Sequence, residues 1–498
     1  MATDTPAYGA GSTRTQVVSD DNDRTPSVAV SVPPRTSRAE IWARIWFVLA
    51  IGTLAYFVPL SEVGRAAFAG SQSVYLVVAP ILAGLVASGY VRAPRGARDS
   101  DADWIAALLL AVGGFATLWL IEDRLPTMAA LWHTDNIGLI LWVAASGMVV
   151  FSARHILRMW HVWVLGLILA PVMPFMLVTA QFGGTDTAIA MTAASLGSLA
   201  VYLATRFTDM RRRLLCTVAN VALSATAVLL LVDTSLYVCV IISAGAVPVV
   251  VVLAAHRLAR TPAGDTSAAA ASLPHRRVRS YVALVLAAGA MLWVHLPVPR
   301  SQVIESVPVD WMATTALDPV ENFDFITDFV GPDATFTRYR APGGAGEYQT
   351  VVDVISSPNL ARLQDFSDAV WYPTSAPVNY QPYEGGPTAP RGMQTAHTDA
   401  ETAETGDAAN WNAVTWIWQS GNAFQRVTVV TSQTRGQPAP QPRPLTVQNV
   451  VIEPALWLTR QQELQAGAVD PIVTASTDVV VKRLLSNGTP HSVAVPSS

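Results

Sequence analysis

The sequence predicts an all-α multi-pass membrane bundle of about nine transmembrane helices, followed by a small α+β domain outside the membrane. Three observations predict it. Apolar residues make up 51% of the chain against 14% charged, and the mean hydropathy is +0.35, the balance of an integral membrane protein. Apolar runs of about 20 residues, the length that crosses a bilayer as a helix, recur up to Leu296. Beyond Pro299 they stop, and alternation of the kind that makes strands takes over.

Residues 1–40 are polar and rich in Ser, Thr, Asp and Pro, without the basic start and apolar core of a signal peptide. They read as a disordered cytoplasmic tail. The predicted spans are 41–60, 71–91, 104–121, 137–153, 161–180, 187–204, 214–232, 235–255 and 279–296, within a membrane domain of 41–297. Arginines in short loops mark the cytoplasmic side. They cluster in the tail (Arg35, Arg38) and in every second loop: Arg92, Arg95 and Arg98; Arg154 and Arg158; Arg206 and Arg211 to Arg213; Arg257, Arg260, Arg276, Arg277 and Arg279. The alternate loops carry only Arg65 and Arg124 beside acids such as Glu62, Glu122, Asp135 and Asp186. The N-terminus is therefore expected inside, and the C-terminal domain outside, the inner membrane of a cell. Pro171 and Pro174 predict a kink in the fifth span, since each removes a backbone donor.

The C-terminal domain is read as 298–498. Within it, 349–355 reads as a strand, 359–370 as a helix with Leu360, Leu363, Phe366 and Val370 on one face, and 413–432 as a hairpin turning at Ser420-Gly421-Asn422. Residues 445–452 read as a further strand and 477–485 as a terminal amphipathic helix. Residues 382–410 read as a mobile loop, and 436–444 as a Pro-rich break. The density of Trp411, Trp416, Trp418, Tyr372, Tyr380 and Tyr383 fits either a partner surface or core on both sheet faces, with Trp416 and Trp418 on one side and Val414 and Ile417 on the other. Asp310, Asp318, Glu321, Asp324 and Asp328 read as a solvated face over Phe323, Phe325 and Phe329. They lack the spacing of a calcium loop.

A net charge of −4 offers no field for nucleic acid. Lys482 is the sole lysine and alanine is abundant, a composition of high-GC, actinobacterium-like proteomes. The two cysteines, Cys216 and Cys239, lie inside apolar runs, so no disulfide framework holds the outer domain. Cys239 and His295 are predicted near the outer ends of their spans. A thiol and an imidazole at one depth could serve as nucleophile and base, with Arg124 and Arg65 as the only outer-loop cations that could activate the thiol. The alternative is that Cys239 is a small packing residue and His295 an interfacial one beside Trp293. No metal or cofactor motif is present; His155 and His161 flank the fourth loop without further ligands. Spans three to eight are almost free of charge, which argues against ion-coupled transport. Asn220 reads as a bridge between helices.

The stretch 151–180 (FSARHILRMWHVWVLGLILAPVMPFMLVTA), preceded by 92–114 (RAPRGARDSDADWIAALLLAVGG), resembles the exosortase/archaeosortase family, in which a helix ends in a Pro-x-x-Pro-like segment. That resemblance implies a membrane cysteine peptidase or transpeptidase acting on sorting signals through a Cys, an Arg and a His at the outer face. The family's Cys-Ser-Gly motif is absent here, because Cys239 precedes Val240-Ile241 and Cys216 precedes Thr217-Val218. The leading expectation is a multi-pass protein whose partners are the bilayer and, through its outer domain, a cell-envelope or surface protein that it helps to assemble or sort. The alternatives are an exosortase-like peptidase and a transporter of lipid-linked substrates.

Overall fold

The computed structural model describes residues 38–90, 100–259, 278–296, 304–345, 347–374, 376–385, 389–390, 392–398, 410–459 and 469–488. All belong to one compact unit. The reading of 1–40 as a tail falls almost wholly outside them.

The N-terminal part is helical. α1 (Arg38–Ala55) turns by 82° into α2 (Phe57–Phe68), and a 3-10 turn (Gln72–Val77) then opens α3 (Ala79–Ser88). α4 (Ser100–Arg124) and α6 (Thr134–Phe151) are joined by the short α5 (Pro126–Trp132), and α7 (Ala153–Arg158) leads into α8 (Trp160–Leu169) and α9 (Val172–Gln181). α10 (Asp186–Ala204) and α11 (Met210–Leu230) follow. A π-helical turn (Ile241–Ala246) then links α12 (Leu236–Val240) to α13 (Val247–Ala259), and α14 (Val278–Val294) ends the bundle. Among the described residues, five helices are long and apolar enough to cross a membrane, or up to seven if each bent pair is one span. Gln72–Ser88 and Val278–Val294 are shorter apolar helices.

These helices are apolar outward as well as inward. Leu108, Leu109, Val112, Leu215, Val218, Leu229, Val250 and Leu286 are exposed. A water-facing helix would carry charge there, so the outer surface matches hydrocarbon better than water. Small residues set the inner packing: a Cβ on Gly197 would meet the Ala244 carbonyl oxygen at 3.0 Å, the close approach that glycine permits in apolar bundles. Asn220 donates to the Ser198 hydroxyl (2.9 Å), and the Ser224 hydroxyl donates to the Ser243 carbonyl (2.7 Å), bridging α10, α11 and the π turn as expected for a polar residue inside a bundle.

The kink in the fifth span is present, a 64° bend between α8 and α9 at Ala170-Pro171. Pro171 and Pro174 free the carbonyls of the preceding turn, and the bundle supplies donors for them. The Tyr75 hydroxyl donates to the Leu169 carbonyl (2.9 Å), and the Asn136 amide donates to the Ala170 carbonyl (3.1 Å). The bend is therefore fixed by side chains on two other helices, and it aims α9 away from the axis of α8.

The C-terminal part is an eight-stranded sheet, antiparallel except at one edge pairing. Its strands are β1 (Glu305–Val307), β2 (Asp318–Asn322), β3 (Thr335–Ala345), β4 (Gln349–Ser357), β5 (Gln381–Pro382), β6 (Gln394–His397), β7 (Trp411–Ser420) and β8 (Ala423–Ser432). Their order is β2-β3-β4-β8-β7-β6-β5, with β1 parallel to β7. The helices are α15 (Trp311–Thr314), α16 (Ile326–Val330), α17 (Leu360–Asp365), α18 (Glu453–Thr459) and α19 (Pro471–Gly488). One sheet face packs Val352, Val354, Val414, Trp416, Trp418, Val427 and Val429 against Val480, Val481 and Leu484 of α19. The other turns Phe336 and Ile355 toward α16, α17 and the bundle, and Trp411, Ala413 and Val430 toward Tyr372 and Val378.

The hairpin turns where its sequence indicates, with Ser420 opposite Ala423 and Gly421 at a φ of +57°, the left-handed conformation that a two-residue turn requires. Four readings need correction. Val414 shares a face with Trp416 and Trp418, as the two-residue strand period demands. Residues 445–452 are helical from Val447 onward, not a strand. The helix read over 359–370 is only Leu360–Asp365, capped by the Asn359 side chain. The stretch 382–410 contributes β6 and the end of β5 to the sheet, although 386–388, 391 and 399–409 lie outside the described residues.

Candidate functional site at the seam between bundle and sheet domain

The sheet domain does not hang from the bundle by a linker alone. Beyond the bend at Pro171, α9 puts Val172, Met173, Met176, Leu177 and Ala180 into one core with Ile326, Phe329, Val330, Leu363, Phe366 and Trp371 of the sheet domain. Withdrawing one such side chain costs about 1.5–3 kcal/mol, so four or more together far exceed thermal energy. Interdomain motion, the usual expectation for neighbouring domains, is suppressed.

Polar groups fix the register of this seam. Ser71 is the N-cap of the 3-10 turn, and from above it the Asp365 carboxylate accepts from the Ser71 hydroxyl (2.6 Å) and from the Gln72 backbone N–H (2.8 Å). Asp365 thus caps a helix of the bundle from the other domain, using donors that a helix start leaves free. The Gln72 side chain, fully buried, donates to the Phe329 carbonyl and accepts from the Thr179 hydroxyl (3.2 Å). Arg362, also buried, pairs with Asp186 at the start of α10 and donates to the Gly184 carbonyl (3.4 Å). Farther out, the Trp132 indole donates to the Val450 carbonyl (3.0 Å), and the Tyr380 backbone N–H donates to the Thr127 hydroxyl (2.8 Å).

Burial pushes the Asp365 carboxyl up to about 6, against the opposing pull of Ser71, the Gln72 N–H and Arg362. In the unfolded chain it titrates near its ordinary 3.8. Between these values the folded state binds the extra proton, so stability falls as pH rises. Its contribution is complete below pH 4 and lost through pH 6, a change of roughly 2–3 kcal/mol. The expected result is a melting temperature of the detergent-solubilised chain that declines from pH 4.5 to 6.5, with Asp365→Asn flattening this segment. An unchanged slope in Asp365→Asn would assign the pH dependence elsewhere.

Among the described residues, no hydrogen bond or ion pair joins the residues singled out as candidate chemistry. Cys239, 5% exposed, packs in the apolar cluster of Val74, Tyr75, Val78, Phe175 and Leu236. His295 lies against Tyr56 (ring centroids 4.7 Å apart) and 3.7 Å from Asp135, in the neighbourhood of the bundle's other cluster. Arg124, half-buried at the end of α4, makes no hydrogen bond or ion pair among the described residues. Cys216 is half-buried against the same cluster as Cys239. Among the described residues no three His, Cys, Asp or Glu side chains gather as a metal site. His161 instead meets the Tyr90 hydroxyl (2.9 Å) and Arg206 (3.2 Å).

Phe329, Leu363 and Phe366 read as apolar-face residues in the sequence, but nothing local marks which polar groups join them to the bundle. The polar triplet Ser71-Gln72-Ser73 at the head of an apolar run was the available signal, since all three are buried, and buried polar groups need partners. No protein family, no curated protein and no solved structure matches this chain.

Proposed function

We propose that the chain is a nine-span inner-membrane protein that presents its sheet domain, rigidly seated on the outer ends of the helices, to a cell-envelope or surface-protein partner during assembly or sorting. The observation that carries this reading is the shared core of α9 with α16 and α17. A domain clamped by apolar burial and a cross-domain helix cap suits a platform.

The grouping of helix ends supports the topology. The segments at Ser71, Thr127, Trp132 and Asp186 all meet the sheet domain. The arginine-bearing ends meet one another elsewhere: Arg206 donates to the Val86 and Gly89 carbonyls and Arg44 to that of Val150. This separation follows the positive-inside rule. In support of a binding rather than a catalytic role, Cys239 sits among apolar side chains, and among the described residues no cation or base that would activate a thiol pairs with it.

The test is mass spectrometry of surface-protein termini and envelope lipids in a strain lacking the chain, complemented with the full chain, with Cys239→Ala, or with a truncation lacking 303–498. Cys239→Ala is expected to restore the wild-type profile and the truncation to fail. Unprocessed C-terminal tails in Cys239→Ala would establish the exosortase-like peptidase instead, and full rescue by the truncation would favour lipid-linked transport by the bundle.

A further inference from the structure

The 12 residues of α2 divide into three faces, and the bundle packs against one of them. Successive helical residues turn by about 100°, so Leu60 and Ala67 fall on one line. Leu60 packs against the cluster around Tyr56 and Trp142, and Ala67 lies in the cluster around Val74 and Tyr75. α2 thus bridges both apolar clusters of the bundle, and it turns by 82° from α1.

A second face holds Phe57, Gly64 and Phe68, within about 40° of one another around the helix axis. Phe57 and Phe68 are 58% and 72% exposed, and a Cβ on Gly64 would meet nothing within 4 Å. Farther round, the exposed Arg65 and Glu62 form a third face. Both ends of the phenylalanine face run into the apolar outer surface of the bundle. Leu54, also exposed, precedes Phe57 on α1, and Phe68 stacks on Tyr237 (ring centroids 4.2 Å apart), beside the exposed Val238 on α12. At its far end α2 reaches the seam: a Cβ on Gly70 would lie 2.8 Å from the Asn359 side chain of the sheet domain.

We propose that α2 lies in the plane of the bilayer, at the boundary between headgroups and acyl chains of the outer leaflet. Phe57 and Phe68 insert among the lipid chains, and Arg65 and Glu62 stay among the headgroups. An apolar face bordered by a charged one, on a helix running across the span rather than along it, suits that boundary. The remaining span is long enough: the 18 residues of α1 rise about 27 Å at about 1.5 Å each, close to the ~30 Å of a hydrocarbon core. One positive and one negative side chain give no net attraction to anionic lipid, so apolar insertion holds the helix. Because the Ser71 cap follows α2 directly, the depth of this helix sets the height of the seam above the membrane.

The inference rests on the bundle crossing the bilayer, and the experiment separates the two. Single spin labels are attached at Gly64→Cys, Glu62→Cys, Val112→Cys or Gln437→Cys in the full chain carrying Cys216→Ala and Cys239→Ala. The chain is reconstituted into phosphatidylcholine vesicles with or without phosphatidylglycerol. Collision rates with oxygen, which concentrates in hydrocarbon, and with a water-soluble nickel chelate report depth. Val112 is exposed midway along α4, and Gln437 is exposed in the sheet domain. The label at 64 is expected about 5–10 Å below the phosphates, with an oxygen-to-nickel ratio about tenfold above that at 62 and equal in both lipid mixtures. A label at 64 as open to nickel as that at 437 would overturn the proposal. Shielding of 64 from both reagents would also overturn it, since a second copy or another protein would then cover the face. A depth that requires phosphatidylglycerol would overturn insertion by apolar contact. Nickel access at 112 would instead show that the bundle does not cross the bilayer, and this inference would fall with that reading. Gly64 and Glu62 both face open space, so the labelled chains should fold.

Discussion

Replacing Gly184 by alanine is expected to break the seam while leaving both halves of the molecule folded. Gly184 follows α9 at a φ of +59°, and a Cβ built on it would lie 2.1 Å from the Asp328 carbonyl oxygen in α16. That neighbour is backbone inside a packed helix, so it cannot swing aside. The left-handed conformation alone costs a non-glycine residue about 1–2 kcal/mol, and forced repacking adds about 1–3 kcal/mol. The adjacent Gly183 is the control: its φ is +83°, yet nothing lies within 4 Å of its Cβ position. Gly183→Ala should therefore show the backbone cost only. Hydrogen exchange on the full chain in detergent would read the difference, with α9 and α16 losing protection together in Gly184→Ala and retaining it in Gly183→Ala. Equal behaviour of the two variants would mean that the close contact with α16 contributes nothing to docking.

The elements legible in the sequence are those whose signal is local. Seven of the nine predicted apolar runs fall on a helix or bent helix pair long and apolar enough to cross a membrane, while 71–91 and 279–296 fall on the shorter apolar helices Gln72–Ser88 and Val278–Val294. The hairpin was legible because β7 and β8 alternate over ten residues on each side of Gly421. Residues 445–452 misled because β-branched residues dominate Leu445-Thr446-Val447-Gln448-Asn449-Val450-Val451-Ile452. A competing signal was present: Thr446 and Asn449 cap each other, the Thr446 N–H donating to the Asn449 side chain (2.7 Å) and the Asn449 N–H to the Thr446 hydroxyl (3.3 Å). This is a capping box with Asn at its fourth position, and packing of Leu445 and Val450 into the seam core completes the override.

The seam itself could not be read. Ser71 and Asp365 are 294 positions apart, and each taken singly is an ordinary polar residue at an element end. Their meaning arises only when the Pro171 bend brings α9 under α16. The proline therefore acts on the sheet domain as well as on its own helix. Its consequence is that α9, the second half of the bent pair, packs into one core with the sheet domain.

The largest stability effect is expected inside the sheet, at Asp353. Arg338 on β3 and Asp353 on β4 stand directly opposite in register and pair through two hydrogen bonds (2.8 and 2.7 Å), with Asp353 only 1% exposed. The Tyr372 hydroxyl donates to the same carboxylate (2.8 Å), and the Pro440 carbonyl accepts from Arg338 (2.8 Å). Burial alone would weaken the Arg338 charge, and Asp353 more than restores it; burial and that carboxylate also hold the Tyr372 phenol protonated, well above its ordinary range. Removing one member of such a pair leaves the other charge buried and unpaired, at a cost of about 3–5 kcal/mol. Asp353→Ala should therefore unfold the sheet domain at a temperature where the wild-type chain is intact, read by tryptophan fluorescence of the full chain. The double variant Arg338→Met/Asp353→Leu should recover most of the loss, since an apolar pair of similar volume can replace a buried ion pair at little cost. If the double variant were as unstable as Asp353→Ala, the pair would matter for its bonds to Tyr372 and Pro440, which tie the 366–380 and 436–444 segments to the sheet, more than for its charge.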